Sequence, residues 1–172
     1  KSEVAIKKPF ISISLSVNGE KGGEIAAPPG QVARVEASYL NNLSVPVRNV
    51  SISLLLSGTG LDEKSVRVDR GFYQSNTDTV RFDKGSLPEL SEVAPGEGGT
   101  VSFSFEPVAP PGVSNPYISL SGAVAGERSE ESGVPEEVRA AAFQKILVES
   151  EASFSALASY YTGPLQTSGV LP

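Results

Sequence analysis

The chain has 172 residues and a formal net charge of −6, from 14 basic and 20 acidic side chains. It contains no Cys, His, Met or Trp, which excludes disulfides, the usual zinc sites and Ser-His or Cys-His nucleophile pairs. The basic residues form no run, which argues against nucleic-acid binding, and no stretch reaches the roughly 18 apolar residues of a membrane span. At this length, packing alone can hold one domain together.

The first half of the chain alternates apolar and polar residues with the period of two that predicts β-strands. Residues 1–9 are polar and basic and form a predicted lead-in. Because they include neither an initiating Met nor an apolar signal segment, we expect the chain to be part of a longer protein. Predicted strands follow at residues 11–17, 31–40 and 47–56, whereas residues 24–27 fit either a short strand or a crossing loop.

Turn residues separate these strands. The pair Asn18-Gly19 predicts a tight hairpin turn, and Pro28-Pro29-Gly30 predicts a loop. Leu55 interrupts the polar face of the third strand, and we interpret it as a packing contact at one end. Residues 61–64 fit a single helical turn and residues 66–68 a brief strand. Residues 72–74 and 79–82 fit a hairpin around the turn at 76–78.

The clearest β signal lies in the stretch from Arg81 to Phe105. From Thr100 onward, Val101, Phe103 and Phe105 share one face, whereas serines occupy the other. The Ala94-Pro95-Gly96-Glu97 segment before this strand predicts a type II turn, with Pro95 and Gly96 at its central positions. We expect this turn to serve backbone geometry and to bind no ligand.

The second half of the chain leaves one alternative open. Residues 107–116 are rich in proline and predict a surface loop, residues 117–125 a strand, and the charged residues 126–133 a second loop. In residues 135–150, composition favours a helix over 135–142 and alternation favours a strand over 143–150. Residues 151–161 alternate again, and residues 162–172 are rich in Gly, Pro and Ser, which is typical of a linker.

Seven or more short strands with turns between them and no sustained helix predict an all-β fold, a two-sheet antiparallel immunoglobulin-like sandwich. The expected organisation is a lead-in at residues 1–9, the sandwich at 10–161, and a linker at 162–172 that leads to a following domain. The Cys-Trp-Cys set of antibody domains is absent, which excludes the antibody family itself.

A resemblance to a known family rests on GFYQSNTDTVRFDKGSLPELSEVAPGEGGTVSFSF, with LSGTGLDEKSV before it and SYYTGPLQTSGVLP at the end. This pattern resembles the conserved-repeat Ig-like domains of large bacterial cell-surface proteins, the adhesin-type repeats, including those of small-genome candidate-phyla bacteria. An aromatic-Asp pair, a leucine-containing turn, a PGE turn and an alternating strand follow each other in that family. Phe82-Asp83 stands here where that family commonly has Trp-Asp.

The resemblance implies an extracellular, cell-surface, tandem-repeat module without catalytic residues or cofactors. Its expected partners are neighbouring repeat domains of the same chain. A host or cell-surface protein or a glycan is a further partner class, and the alternative function is a binding module that recognises such a ligand through its loops. Enzymatic activity is the least favoured class.

Three kinds of candidate site compete with ordinary structural roles of the same residues. Two sets of three acidic residues have the oxygen ligands that calcium prefers. No calcium-binding loop motif is present, and a role as solvated surface residues is favoured. The first set is Asp62, Glu63 and Asp69, and the second is Asp78, Asp83 and Glu89. A lysine-asparagine crosslink is disfavoured because residues 143–161 contain no Asn. Phe72, Tyr73 and Tyr117 are candidates for a sugar-stacking platform, although aromatic residues in strands are more often core. We therefore expect no metal, cofactor-binding or catalytic residues.

Overall fold

The structure, a computed structural model, describes residues 10–129 and 133–149, which form two β-sheets packed face to face. Eleven strands occur within these ranges. They are β1 (Ile11–Val17), β2 (Glu24–Ala27), β3 (Ala33–Asn41), β4 (Val47–Ser57), β5 (Arg67–Val68), β6 (Phe72–Gln74), β7 (Thr79–Phe82), β8 (Glu92–Val93), β9 (Gly98–Phe105), β10 (Tyr117–Ser129) and β11 (Pro135–Val148). The predicted lead-in, the strand at 151–161 and the linker lie outside the described residues.

The order of strands defines an immunoglobulin-like sandwich. The smaller sheet has the order β1-β3-β9-β5, and the larger sheet has the order β2-β11-β10-β4-β7-β6, with β8 paired to β4. When β2 and β6–β8 are left out, these orders match the two sheets of constant-type immunoglobulin domains, in which the first, second, fifth and fourth strands form one sheet and the seventh, sixth and third form the other. The predicted two-sheet sandwich is confirmed. One pairing departs from the antiparallel prediction, because β2 runs parallel to β11.

The buried rows lie between the sheets, as the alternating sequence predicts. Strand β9 buries Val101, Phe103 and Phe105 against the larger sheet, and the outward positions carry Thr100, Ser102 and Ser104. Glycine is required where β9 begins, because a Cβ at Gly98 would lie 2.0 Å from the carbonyl oxygen of Tyr39. This close approach lets β9 pair with β3 from its first residue.

The structure confirms the turns that the sequence predicts at residues 18–19, 94–97 and 61–64. Asn18 and Gly19 both have positive φ, as a tight hairpin turn between Val17 and Glu20 requires. The amide of Glu97 donates to the carbonyl of Ala94 and Gly96 has φ of +75°, which fits the predicted type II turn. The predicted helical turn near residues 61–64 is a single 3-10 turn at Glu63–Ser65, capped by the Asp62 carboxylate.

Two predictions in the second half are wrong. The predicted loop at 126–133 begins too early, because β10 continues to Ser129, and the predicted helix at 135–142 is the first half of β11. Strands β10 and β11 pair from Tyr117 opposite Leu147 to Ser129 opposite Pro135. This long hairpin satisfies the backbone groups of the whole segment, and cross-strand bonding outweighs the helix propensity of its alanines. The predicted strand over 143–150 is confirmed to Val148.

A buried amide, Asn41, ties the two sheets together. Its side chain is fully buried and its Nδ2 donates to the carbonyl oxygens of Val45 at 2.9 Å and Val93 at 3.0 Å. Its Oδ1 accepts from the amide of Leu43 at 2.9 Å. The side chain therefore holds the connection between β3 and β4 and the end of β8 at once.

Replacement of Asn41 by Ala is expected to lower the free energy of unfolding by about 2–4 kcal/mol, because one buried carbonyl, one part-buried carbonyl and one part-buried amide lose their partner. Urea denaturation monitored by circular dichroism measures this change. The matched control is Asn76→Ala at the exposed β6–β7 turn, which should change stability by less than about 0.5 kcal/mol. Equal effects of the two substitutions would contradict the role of Asn41.

Candidate functional site

The candidate site is the outer face of the larger sheet, the side turned away from the core. At its centre Leu55 on β4, Ser121 on β10 and Phe143 on β11 lie side by side in register. Leu55 is 47% exposed and Phe143 is 64% exposed. Two strand spacings, about 10 Å in all, separate these two apolar side chains, and the small Ser121 lies between them. The interpretation of Leu55 as a packing contact is wrong.

A shallow groove of about 530 Å³ follows this row. Its floor is made of Ser and Ala side chains, which are too short to fill the space between Leu55 and Phe143. The residues of the floor are Ser53, Ser121, Ala123 and Ala141. Such a surface offers apolar contact and few hydrogen-bonding groups, which is the chemistry of a protein contact rather than of a polar small-molecule site.

Ion pairs lie along β11 before and after the groove. Lys145 lies 3.4 Å from Glu24, and Arg139 pairs with Glu137 at 2.6 Å. These side chains are substantially exposed, so the pairs add little to stability. The residues that line the groove are themselves uncharged.

The three aromatic residues predicted as a sugar platform are not brought together. Phe72 lies on the edge strand β6, whereas Tyr117 lies at the start of β10 with the Lys145 ammonium 5.5 Å from its ring centroid. The Tyr73 hydroxyl donates to Asp78 Oδ1 at 2.7 Å, and its ring packs against the core. Sequence reasoning missed Phe143, although its position in the alternating second half of β11 was a usable signal.

The carboxylates considered for calcium have separate structural roles. Asp83 Oδ1 accepts from the amides of Gly85 and Ser86, Asp78 accepts from Tyr73, and Glu89 pairs with Arg70 at 3.4 Å. Within residues 10–129 and 133–149, no three carboxylates are close enough to hold a metal ion.

A lysine, an asparagine and an acid do meet at the bulge of β4. This bulge sets Asn49 and Val50 opposite Gly126, and Asn49 adopts a positive φ of 52°. Lys84 Nζ donates to Asn49 Oδ1 at 2.9 Å, and Asn49 Nδ2 donates to Glu127 at 3.2 Å. All three side chains are exposed, whereas a crosslink needs them buried. Sequence reasoning considered only residues 143–161 and missed this cluster.

The solved structures that resemble this chain share little sequence identity with it and superpose on it only in part. No family model and no curated protein matches the chain. The CARDB domain of a Pyrococcus furiosus protein, solved with di-metal ions, has 10% identity and a TM-score of 0.44, over 84% of this chain and 94% of that one. A type I cohesin, the seventh of ScaB from Pseudobacteroides cellulosolvens, has 12% identity and a TM-score of 0.46, over 82% and 93%.

The major pilin subunit BcpA of Bacillus cereus has 12% identity and a TM-score of 0.45, over 80% of this chain and 40% of that one. Values this low carry over no function, so the fold assignment rests on the strand order. Among the residues that the structure describes, no helix has the length and apolar character to cross a membrane.

The Tyr73–Asp78 hydrogen bond predicts a pH dependence of stability. Burial raises the pKa of the Tyr73 hydroxyl, and the neighbouring Asp78 carboxylate raises it further. A raised pKa means that the bond contributes fully below the unfolded value of about 10 and is lost as the pH rises through the folded value. Tyr73→Phe should therefore cost about 1 kcal/mol at pH 8 and less at pH 11 in urea unfolding.

The control for this experiment is Tyr117→Phe. Tyr117 lies on the exposed side of β10, and its hydroxyl has no hydrogen bond within the described part of the chain. This substitution should change stability little at either pH. A cost of Tyr73→Phe that stays constant up to pH 11 would contradict the assignment.

Proposed function

We propose that the domain is a non-catalytic spacer module of a multidomain bacterial cell-surface protein, located outside the cell. Its partners in this role are the neighbouring domains of the same chain, reached through residues 1–9 and the linker at 162–172. The resemblance of residues 71–105 to adhesin-type repeats supports the class of protein. The positions at which the chain enters and leaves the sandwich support the spacer role.

The chain enters the sandwich beside the start of β11. The Phe10 ring lies 4.4 Å from the guanidinium carbon of Arg128, and Arg128 pairs with Glu136 near the start of β11. Further along β1, Leu15 lies next to Gly122, which pairs with Ala142. Strand β1 therefore runs in the same direction as β11.

The chain leaves the sandwich at the opposite end. Strand β11 continues to Val148, and the amide of Glu149 bonds to the carbonyl of Ala27. The thirteen residues from Glu136 to Val148 span about 40 Å at the rise of an antiparallel strand. A chain that enters at one pole and leaves at the other extends each further domain along a line, which is the geometry that a spacer needs.

Small-angle scattering of two copies joined by the native residues 150–172 and 1–9 tests this proposal. We expect an elongated particle whose maximum dimension exceeds twice the single-domain span of about 40 Å. Side-by-side folding of the two copies, seen as a maximum dimension close to that of one domain, would contradict the spacer role. Data over a series of dilutions separate this intramolecular geometry from association between chains.

A second candidate function is the binding of a protein partner through the outer face of the larger sheet. The exposure of Phe143 beside Leu55 favours it, because two large apolar side chains on one open face cost solvation free energy that a partner would recover. In this candidate function the partner contacts the outer face of the sheet, whereas the sequence analysis expected it to contact the loops. Phe143 has no ring beside it in the groove lining and only small or apolar neighbours, which favours a protein over a glycan.

A photoreactive side chain at position 143 should give a discrete adduct with a protein of the cell that produces this chain, because apolar contact is expected there. The control places the same group at Thr100, on the outer face of the smaller sheet. Equal adducts from both positions, or none from position 143, would set this candidate aside. If the wild type binds a glycan, Phe143→Ala does not, and Phe72→Ala still does, the partner of this face would be a glycan and not a protein.

A further inference from the structure

The first strands and the last strand of the described domain lie side by side and run in the same direction. Strand β2 pairs with β11 in parallel over four residues, with Ala27 opposite Val148 at the end. Strand β1, which comes before β2, also runs along β11 in the same direction. The chain therefore enters at the pole of Phe10, the entry pole, and leaves at the pole of Glu149, the exit pole.

Tension between these two poles acts along the strands. A pull at Phe10 draws β1 towards the entry pole, whereas a pull at Glu149 draws β11 towards the exit pole. Strand β1 then slides along β3, with which it pairs over the seven residues from Ile11 to Val17. Hydrogen bonds of an antiparallel ladder are perpendicular to the strands, so this load shears all of them together. No single bond of the ladder can break first.

The pairing of β2 with β11 joins the two loaded ends of the chain directly. If β1 separates from β3, the load passes to β2, which is drawn towards the entry pole while β11 is drawn the other way. The parallel ladder between them is therefore sheared as well. The amide of Glu149 donates to the carbonyl of Ala27 at 2.9 Å and extends this ladder to the exit pole.

A buried side-chain amide fastens the segment before β2 to β11. The Gln144 residue is 2% exposed, and its Nε2 donates to the carbonyl oxygen of Gly23 at 2.8 Å and to that of Lys145 at 3.0 Å. A hydrogen bond in a site of low dielectric is stronger than one in water. The ion pair between Glu24 and Lys145, at 3.4 Å, is exposed and adds less. Gln144 is therefore the strongest side-chain link between the two loaded segments.

We propose that the domain is a load-bearing element, in which β1, β2 and β11 form a shear clamp against tension between the two poles. This function rests on the proposed spacer role, because a spacer transmits any pull from one neighbouring domain to the next. The chain has no cysteine and therefore no disulfide to carry the load. Resistance comes from the two sheared ladders and from the Gln144 bond to Gly23.

Single-molecule force spectroscopy tests the clamp by changing only the direction of the pull. Because the chain lacks cysteine, two introduced cysteines are its only thiol attachment points. The variant Phe10→Cys/Glu149→Cys is pulled between the poles. The variant Pro29→Cys/Glu149→Cys is pulled at the exit pole alone, since Pro29 is exposed and follows the end of β2.

We expect a severalfold higher unfolding force for the pull between the poles. Forced unfolding depends on the rate of unfolding, and that rate is low when many bonds must break together. The pull at the exit pole instead peels β11 from its end, one hydrogen bond after another. Equal forces in the two directions, or a lower force between the poles, would overturn the proposal.

This result is independent of the test of the spacer role. Each variant is a single domain, so its unfolding force does not depend on how two joined copies are arranged. Equal forces in the two directions would leave an elongated scattering particle, and with it the spacer role, intact. Side-by-side copies in the scattering experiment would contradict the spacer role and leave the measured direction dependence unchanged.

Substitution of Gln144 tests where the clamp lies. Gln144→Met keeps the length of the side chain and removes the bond to Gly23, so it should lower the force between the poles and leave the force at the exit pole nearly unchanged. The matched control is Gln74→Met on β6, at the other end of the larger sheet, which should change neither force. A general loss of stability would lower both forces by the same factor. That outcome, or no change in either force, would overturn the role of Gln144 in the clamp.

Discussion

The amide of Asn41 is the constraint on which the relation of the two sheets depends. Its side chain holds the connection between β3 and β4 and the end of β8, and its backbone bonds to Gly96 and Glu97 in the turn before β9. A buried polar side chain whose hydrogen bonds are all made favours a single arrangement of the segments that it joins. Any shift of one segment would leave hydrogen-bonding groups without partners in the core, away from water. The register of β9, and therefore its inward row of Val101, Phe103 and Phe105, follows from this anchor.

The amino-acid sequence alone predicts the rows of the core but not the lengths of the strands. Alternation identifies β1, β3, β4 and β9 because each buries one face, and burial imposes a period of two. The same signal weakens from Gly126 to Ala142, where charged residues and alanines give no contrast between the faces. Pairing of β10 with β11 decides the structure there, and this is a long-range contact that a local pattern does not contain.

The candidate site is less predictable than the fold, for a related reason. Phe143 is exposed because β11 lies in a sheet whose outer face is not covered by another element of residues 10–129 and 133–149, so its role depends on the order of strands. The cluster of Asn49, Lys84 and Glu127 likewise needs the bulge of β4, which a pattern of apolar residues does not reveal. By contrast, the preference for a surface role of the carboxylates considered for calcium needed only the sequence, because it rests on the absence of a binding-loop motif.

The proposed spacer role depends on the two poles of the sandwich and not on its faces. Phe10 lies beside the start of β11, and Glu149 follows the end of the same strand. Because further domains would be added at these poles, the outer face of the larger sheet, with Leu55 and Phe143, lies away from the positions where neighbouring domains are joined.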